Sequence, residues 1–384
     1  MDKRIYLLTI VSFVVGMAEL VIGGILDLIA TDLHVSISQA GLLITIFSLV
    51  FAVGAPILMI ATAQIERRKL MMFSLALFFI GNVIALFSTS FTVLFVSRIV
   101  SAIAGALLAV LCMTLASSIV ERRFIGRAIG LVIMGTSASL VLGLPIGLLL
   151  GNAFGWRAPF ILITVLTVIV MIGVAKLLGE IAPAPAVPLL EQLRTLKSRP
   201  IFFMQLAMFF YLAGHLAVYA YLTPLVKEHM HFGGTLTSIV YFVFGAAAVS
   251  GGGLSGSLTD RLGSRKIIII ATCLLALSLF LLPYTFFSAL LFFFILIIWG
   301  MMSWSITPAV QTYLIEAAPE SAAIQQSLNN SALHFGIAFG SFAGGVVVER
   351  ASILYAPAAG GFLALCALVS ALISIKRKRA KARN

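Results

Sequence analysis

The sequence predicts an all-α polytopic membrane protein of twelve transmembrane helices in two six-helix pseudo-repeat bundles. Three observations carry that expectation. Of 384 residues, 61% are hydrophobic and only 10% are charged, against roughly 25% charged in a soluble domain. The apolar residues fall into runs of about 20, the length at which a helix crosses a bilayer. The basic turn Gln64-Ile65-Glu66-Arg67-Arg68-Lys69 returns as Gly256-Ser257-Leu258-Thr259-Asp260-Arg261-Leu262-Gly263-Ser264-Arg265-Lys266, which places Lys69 and Lys266 197 residues apart, about half the chain. A repeat of that size in a hydrophobic chain points to two similar membrane halves.

An unpaired backbone group in hydrocarbon costs several kcal/mol, so runs this apolar must be helices. Length, flanking charge and Gly/Pro punctuation place the first six spans at 5–27, 39–62, 70–88, 92–118, 126–150 and 158–178. The second six fall at 200–225, 235–258, 267–286, 288–315, 325–348 and 352–375. The first run starts almost at once and is long enough to span, so it reads as a retained helix and not a cleaved signal. Gly179 to Arg199 is the longest polar interruption, with Pro183, Pro185 and Pro188 followed by Glu191, Arg194 and Lys197. The expected organisation is an N-terminal bundle 1–178, a cytoplasmic linker 179–199 and a C-terminal bundle 200–384 ending in a basic cytoplasmic tail.

The net charge of +12 is topological. If Lys3 and Arg4 are cytoplasmic, that side also holds Arg67, Arg68 and Lys69; Arg122, Arg123 and Arg127; Lys176, Arg194, Lys197 and Arg199; Arg261, Arg265 and Lys266; and the tail from Lys376 to Arg383. The other side holds Arg157, Lys227 and Arg350, and Arg98 alone falls within a span. Such asymmetry puts both termini in the cytoplasm and requires an even number of spans. The tail reads as a stop-transfer and anionic-lipid anchor, not a nucleic-acid arm.

Cys112, Cys273 and Cys366 lie in apolar runs without metal-ligand spacing and read as small buried hydrophobes. The chain has no H-E-x-x-H, no paired cysteine ligands and no intramembrane aspartate pair, so a membrane-embedded enzyme is disfavoured and neither metal nor cofactor is expected.

Among the acidic residues, only Glu19 lies deep in a predicted span, near the midplane at about 1.5 Å of rise per residue. An intramembrane carboxylate persists mainly where it faces a cavity, which suits a proton or substrate site; structural glue is the alternative. Asp27 lies about 12 Å further out, at a depth where Arg98 of the fourth span can meet it, as a structural pair or as a proton-coupled gate. In the second half the polar residues gather on three spans: Tyr211, His215, Tyr219 and Tyr221 on the seventh; Ser303, Trp304, Ser305, Thr307 and Gln311 on the tenth; Asn329, Asn330 and His334 on the eleventh. Aromatic planes with amides and hydroxyls suit a flat, polar heterocycle. Gly135, Gly143, Pro145, Gly147 and Gly151 read as bending and packing elements, like Gly336, Gly340 and Gly344. Asp260 and Arg261 read as helix-end charges that latch one access state.

Gly256-x-x-x-Asp260-Arg261-x-Gly263-x-Arg265-Lys266 resembles the loop 8–9 motif of the major facilitator superfamily (MFS). Arg98 with Gly105 resembles that family's buried-arginine motif, and Gly135, Gly143, Pro145 and Gly147 its glycine-rich antiporter motif. The whole chain is similar to a twelve-helix drug:proton antiporter. Gly16-Met17-Ala18-Glu19-Leu20, Ala213-Gly214-His215, Trp299-Gly300-Met301-Met302-Ser303-Trp304-Ser305, Tyr313-Leu314-Ile315-Glu316 and Gln325-Gln326-Ser327 look closest to bacterial purine-base and nucleoside efflux pumps. The first loop departs from the motif, with Gln64 and Glu66 but neither its glycine nor its Asp-Arg pair, and Asp27 stands where relatives carry proline.

The resemblance implies a proton-coupled exporter in the bacterial cytoplasmic membrane, working by alternating access as a monomer on a small organic solute, with protons, solute and lipid as its partners and no nucleic acid. Purine bases or nucleosides are the first substrate reading; multidrug or sugar efflux is the alternative, and a passive facilitator the reading from another class. Proton coupling falls to Glu19, Asp27 and Arg98. Substrate binding falls to Glu19, Tyr211, His215, Tyr219, Ser303, Trp304, Gln311, Asn329, Asn330 and His334.

Overall fold

The computed structural model describes residues 2–121, 124–183 and 189–381; Arg122, Arg123, Pro185, Pro188 and Arg383 lie outside them. The described chain is all helical, and twelve of its helical segments are long and apolar enough to cross a membrane. It divides into two compact units, Met1–Ala186 with Gly234–Phe242, and Val187–Gly233 with Val243–Asn384.

The first unit contains α1 (Lys3–Gly24), α2 (Leu26–Asp32), α3 (Ile37–Ala61), α4 (Arg67–Leu86), α5 (Phe91–Ile119), α6 (Ile125–Ala138), α7 (Leu144–Phe154) and α8 (Ala158–Leu177). The second contains α9 (Leu189–Arg194), α10 (Arg199–Tyr219), α11 (Leu222–Met230), most of α12 (Gly234–Leu262), α13 (Ser264–Leu281), α14 (Ala289–Ala317), α15 (Ala322–Arg350) and α16 (Ala356–Lys381). The repeat holds element by element: Lys3 and Arg199 open α1 and α10 at an offset of 196 residues, and Ile37 and Gly234 open α3 and α12 at 197. Even the left-handed turn residues match, with His34 and His231 both at φ 53°.

Three spans differ from the sequence expectation. The seventh, read as one helix over 200–225, breaks at Tyr221 (φ −112°, ψ 14°). Pro224 lacks the N–H that the Ala220 carbonyl would accept, and its ring crowds that carbonyl. The first breaks at the corresponding Ile25 (φ −111°, ψ 18°), where no proline explains it. The fifth runs on to Phe154 and contains a π-helical turn, Ser139–Gly143, between α6 and α7.

Residues 135, 139, 143, 147 and 151, four apart, line up along α1 and its C-cap: Gly135 at Thr9, Ser139 at Gly16, Gly143 at Met17, Gly147 at Val21 and Gly151 at Ile25. A straight α-helix at 3.6 residues per turn would carry that row about 160° around its axis. The wider turn absorbs about one residue, or about 100°, and keeps the row on α1.

The ends of the first unit are pinned by polar side chains. Glu66 caps α4 by accepting from the Arg68 and Lys69 amides at 2.7 and 2.8 Å, and it also accepts from the Ile181 amide at 2.9 Å. The Arg68 guanidinium donates to the Ala175 carbonyl at 2.6 Å. The departure of this loop from the family motif therefore has a local use: it fastens the segment that follows α8. At another set of turns, Asp32 accepts from Trp156 Nε1 at 2.8 Å and from Arg157 at 2.9 Å, while Arg157 also donates to the Ser88 carbonyl at 2.7 Å. Donation from the Trp156 indole, and then from Arg157, holds the Asp32 carboxyl below its ordinary value near 3.8.

Candidate functional site

In the first unit, the polar centre is built from α1, α3 and α5. Glu19 is partly accessible as a residue, while Met17, Ala18, Val21 and Ile22 around it are buried. Arg98, on α5, is 1% exposed, and its guanidinium lies over the face of Phe47, 4.2 Å from the ring centroid. All three guanidinium nitrogens are buried without a hydrogen-bond partner among the described residues. Glu19 and Arg98 are close enough to act on each other through their charges. The expected Asp27–Arg98 pair is not formed. Asp27 is half-buried in the first turn of α2, beyond the break in the first span. That break redirects the chain carrying Asp27, and Glu19 is the carboxylate that acts on Arg98.

In the second unit the candidates divide into sealed and open sets. Trp299 donates to His215 Nδ1 at 3.0 Å, and His215 stacks on Phe244 with ring centroids 5.7 Å apart and an interplanar angle of 5°. Tyr219 packs against the same rings. Tyr211 donates to the Met302 carbonyl at 2.5 Å, and Ser303 to that of Gly300 at 2.7 Å. Asn329 donates to Gln205 at 3.0 Å, and Gln205 to the Gln325 carbonyl at 3.3 Å, within a buried amide cluster. His334 is buried as well. These six candidates, Tyr211, His215, Tyr219, Ser303, Asn329 and His334, are all buried.

The open set is Trp304, Thr307 and Gln311 on α14, with Asn330 on α15, all partly accessible. Spacings of three and four residues put the α14 trio on one face, about 100° around the helix from the buried row Trp299, Ser303, Ile306, Val310 and Tyr313. The trio presents a large ring, a hydroxyl and an amide in line.

The residues read as a conformational motif lie at the end of α12 and along α6 and α7. Gly263 (φ 87°) ends α12 with a backbone that side chains resist, and Ser264 of that turn donates to Glu316 at 3.3 Å. Asp260 and Arg261 are exposed, and among the described residues neither makes an ion pair or hydrogen bond. Gly256 has open space around it, Arg265 is half-buried and Lys266 exposed. Gly143 and Gly147 pack on α1, and Pro145 sits in the first turn of α7. Among the described residues no three His, Cys, Asp or Glu side chains gather as a metal site needs.

The Major Facilitator Superfamily family model matches residues 8–341. The chain belongs to the Major Facilitator Superfamily. It is a multi-pass membrane transporter of that family and not an enzyme. It is 36% identical over 370 residues to the uncharacterized MFS-type transporter YbcL of Bacillus subtilis (strain 168), covering 96% of this chain and 95% of that one. It is 29% identical over 378 residues to a probable sugar efflux transporter of Helicobacter pylori (strain P12), covering 98% and 96%. Among solved structures, it is similar to a bacterial homolog of the human lysosomal transporter Spinster, crystallised in an inward-facing and unoccupied conformation. The TM-score is 0.76 at 16% identity, over 98% of this chain and 96% of that one, a likeness of fold.

Sequence reasoning missed Phe47, Trp299 and Gln205 as partners of the polar residues. For Phe47 a signal existed: the repeat offset of 197 maps it onto Phe244, the ring beneath His215.

Proposed function

We propose that this protein is a proton-coupled exporter of a small polar organic solute, working by alternating access, with Glu19 as the group that carries the proton. The observation that carries the reading is a carboxylate within a membrane-spanning helix, near enough to the buried Arg98 cation for the two charges to act on each other. Such a group is costly in a membrane and is retained where it loads and releases charge. Exposed and without ion pairs, Asp260 and Arg261 suit a latch that engages in only one access state. The charge asymmetry supports both termini in the cytoplasm.

For the solute we favour a sugar over a purine or nucleoside. A sugar offers an apolar C–H face and a rim of hydroxyls, which the ring of Trp304, the hydroxyl of Thr307 and the amide of Gln311 complement in one row. The Helicobacter relatives bear sugar-efflux names, which supports the sugar or multidrug alternative over the purine one. Purine stacking on Trp304 stays as the second reading, because the same ring accepts a base.

Counterflow in proteoliposomes, with labelled monosaccharides, nucleosides and a cationic drug compared under an imposed pH gradient, tests this. Sugar accumulation that follows the gradient is expected, and Trp304→Ala should weaken it by removing the ring on which the apolar face of the sugar packs. Accumulation of nucleosides alone would restore the purine reading.

A further inference from the structure

Arg98 presents a puzzle that proton coupling by Glu19 leaves open. A buried guanidinium with three nitrogens lacking hydrogen-bond partners is costly, and a carboxylate within reach of its charge would ordinarily close onto it as an ion pair. Arg98 nevertheless donates no hydrogen bond to Glu19. What it touches is the face of Phe47, itself 1% exposed. Phe47 is held by Phe51, Ala55, Ala102 and Ala106, which pack into one apolar cluster. Gly105 lies close by, its missing Cβ 3.7 Å from the tip of the Phe47 ring. The negative face of an aromatic ring attracts a desolvated cation.

The second unit keeps an aromatic ring at the same position. Phe244, at the same place in α12 as Phe47 in α3, lies flat beneath His215, and His215 stands 196 residues after Glu19. There the ring lies against the counterpart of Glu19, whereas in the first unit it lies against Arg98.

We propose that Phe47 is a positioning residue for proton coupling: its ring face holds the Arg98 guanidinium off Glu19, so that the carboxylate exchanges protons instead of closing into a lasting ion pair. The inference rests on Glu19 being the proton site. Asp27 lies on α2 about two turns along from Glu19, and α3 and α7 carry no ionisable side chain. On the remaining elements packed against α1, Arg127 and Lys176 lie at span ends and Cys112 lies within α5, and Tyr241 of α12 donates to the Gly23 carbonyl.

Replacing Phe47 by phenylalanines carrying two and then three ring fluorines weakens the ring face stepwise at nearly constant volume. The readout is the pH midpoint of substrate-induced proton release from purified protein, in wild-type and Glu19→Gln backgrounds. As the ring loosens its hold, Arg98 moves onto the carboxylate and favours its charged form. The midpoint should therefore fall stepwise, by a total of about tenfold in proton activity for the trifluoro ring. Phe47→Leu should fall at least as far, and Phe47→Trp should stay near wild type. The whole response should vanish with Glu19→Gln. A midpoint that stays level or rises across the fluorine series, while Glu19→Gln still abolishes proton release, overturns the role of Phe47 and leaves Glu19 standing. Proton release that persists in Glu19→Gln with the wild-type midpoint overturns the proton site, and this inference with it.

Discussion

Gly340→Ala adds one methyl group at the seam between α15 and α10, and the structure leaves it no room. Its Cβ would stand 2.7 Å from Ala213 Cα and 2.8 Å from Ala213 C, and nearer still to the Ala213 carbonyl oxygen. Gly336 and Gly344, one turn to either side, meet the Phe209 and Ala217 carbonyls in the same way, so the neighbour is helix backbone along the whole seam and cannot turn aside. Restoring ordinary carbon contact near 3.7 Å requires the helices to part by about 1 Å, and a gap of that size forfeits about a quarter to a half of each contact well that it opens. Overpacking of this kind costs about 1–3 kcal/mol, offset by about 0.5–1 kcal/mol from removing a helical glycine. The expected net loss is about 0.5–2 kcal/mol. Gly253→Ala is the control, since nothing lies within 4 Å of the added carbon there, and it should hold or gain stability. Thermal unfolding of the purified variants in detergent reads both. Equal stability of Gly340→Ala and Gly253→Ala would refute the packing argument.

Two further outcomes follow from the pinned ends of the first unit. Glu66→Ala removes a cap and the acceptor for Ile181, so stability should drop by about 0.5–2 kcal/mol, and limited proteolysis should cut sooner near residues 178–183; an unchanged digestion pattern would contradict the fastening role of Glu66. The depressed Asp32 carboxyl contributes stability above its ordinary value near 3.8, which is lost as pH falls through its lower folded value. Asp32→Asn should therefore lower stability slightly at neutral pH, by about 0.2–1 kcal/mol for so exposed a pair, and flatten the acid end of the profile. A wild-type acid profile in that variant would count against it.

The twelve spans were legible because hydrocarbon leaves a chain few choices, and length and charge placement then locate each helix. The break at Tyr221 was missed in the seventh span, although Pro224 marks it in the sequence. The π turn was not legible, because it answers a packing row on α1 that no local pattern encodes. The site was harder for a related reason. A membrane helix is apolar nearly all round, so its pattern does not fix which side faces inward. Ser303 and Trp304 are adjacent in sequence, yet one is sealed against its own helix and the other is open. His215 was a reasonable candidate by depth, but three neighbouring rings enclose it. Glu19 needed no such rotation to be found, because charge at the midplane is rare enough to point to itself.

Central to the account is that Glu19 couples proton movement to solute export, and proton flux through reconstituted Glu19→Gln protein tests that most directly. The glutamine keeps the shape and some hydrogen bonding but fixes the neutral state. The variant should reconstitute normally and exchange solute down its gradient, yet release no protons on solute addition and build no solute gradient from a pH difference. Accumulation against a gradient with wild-type pH dependence would contradict the account and leave Glu19 as a structural contact.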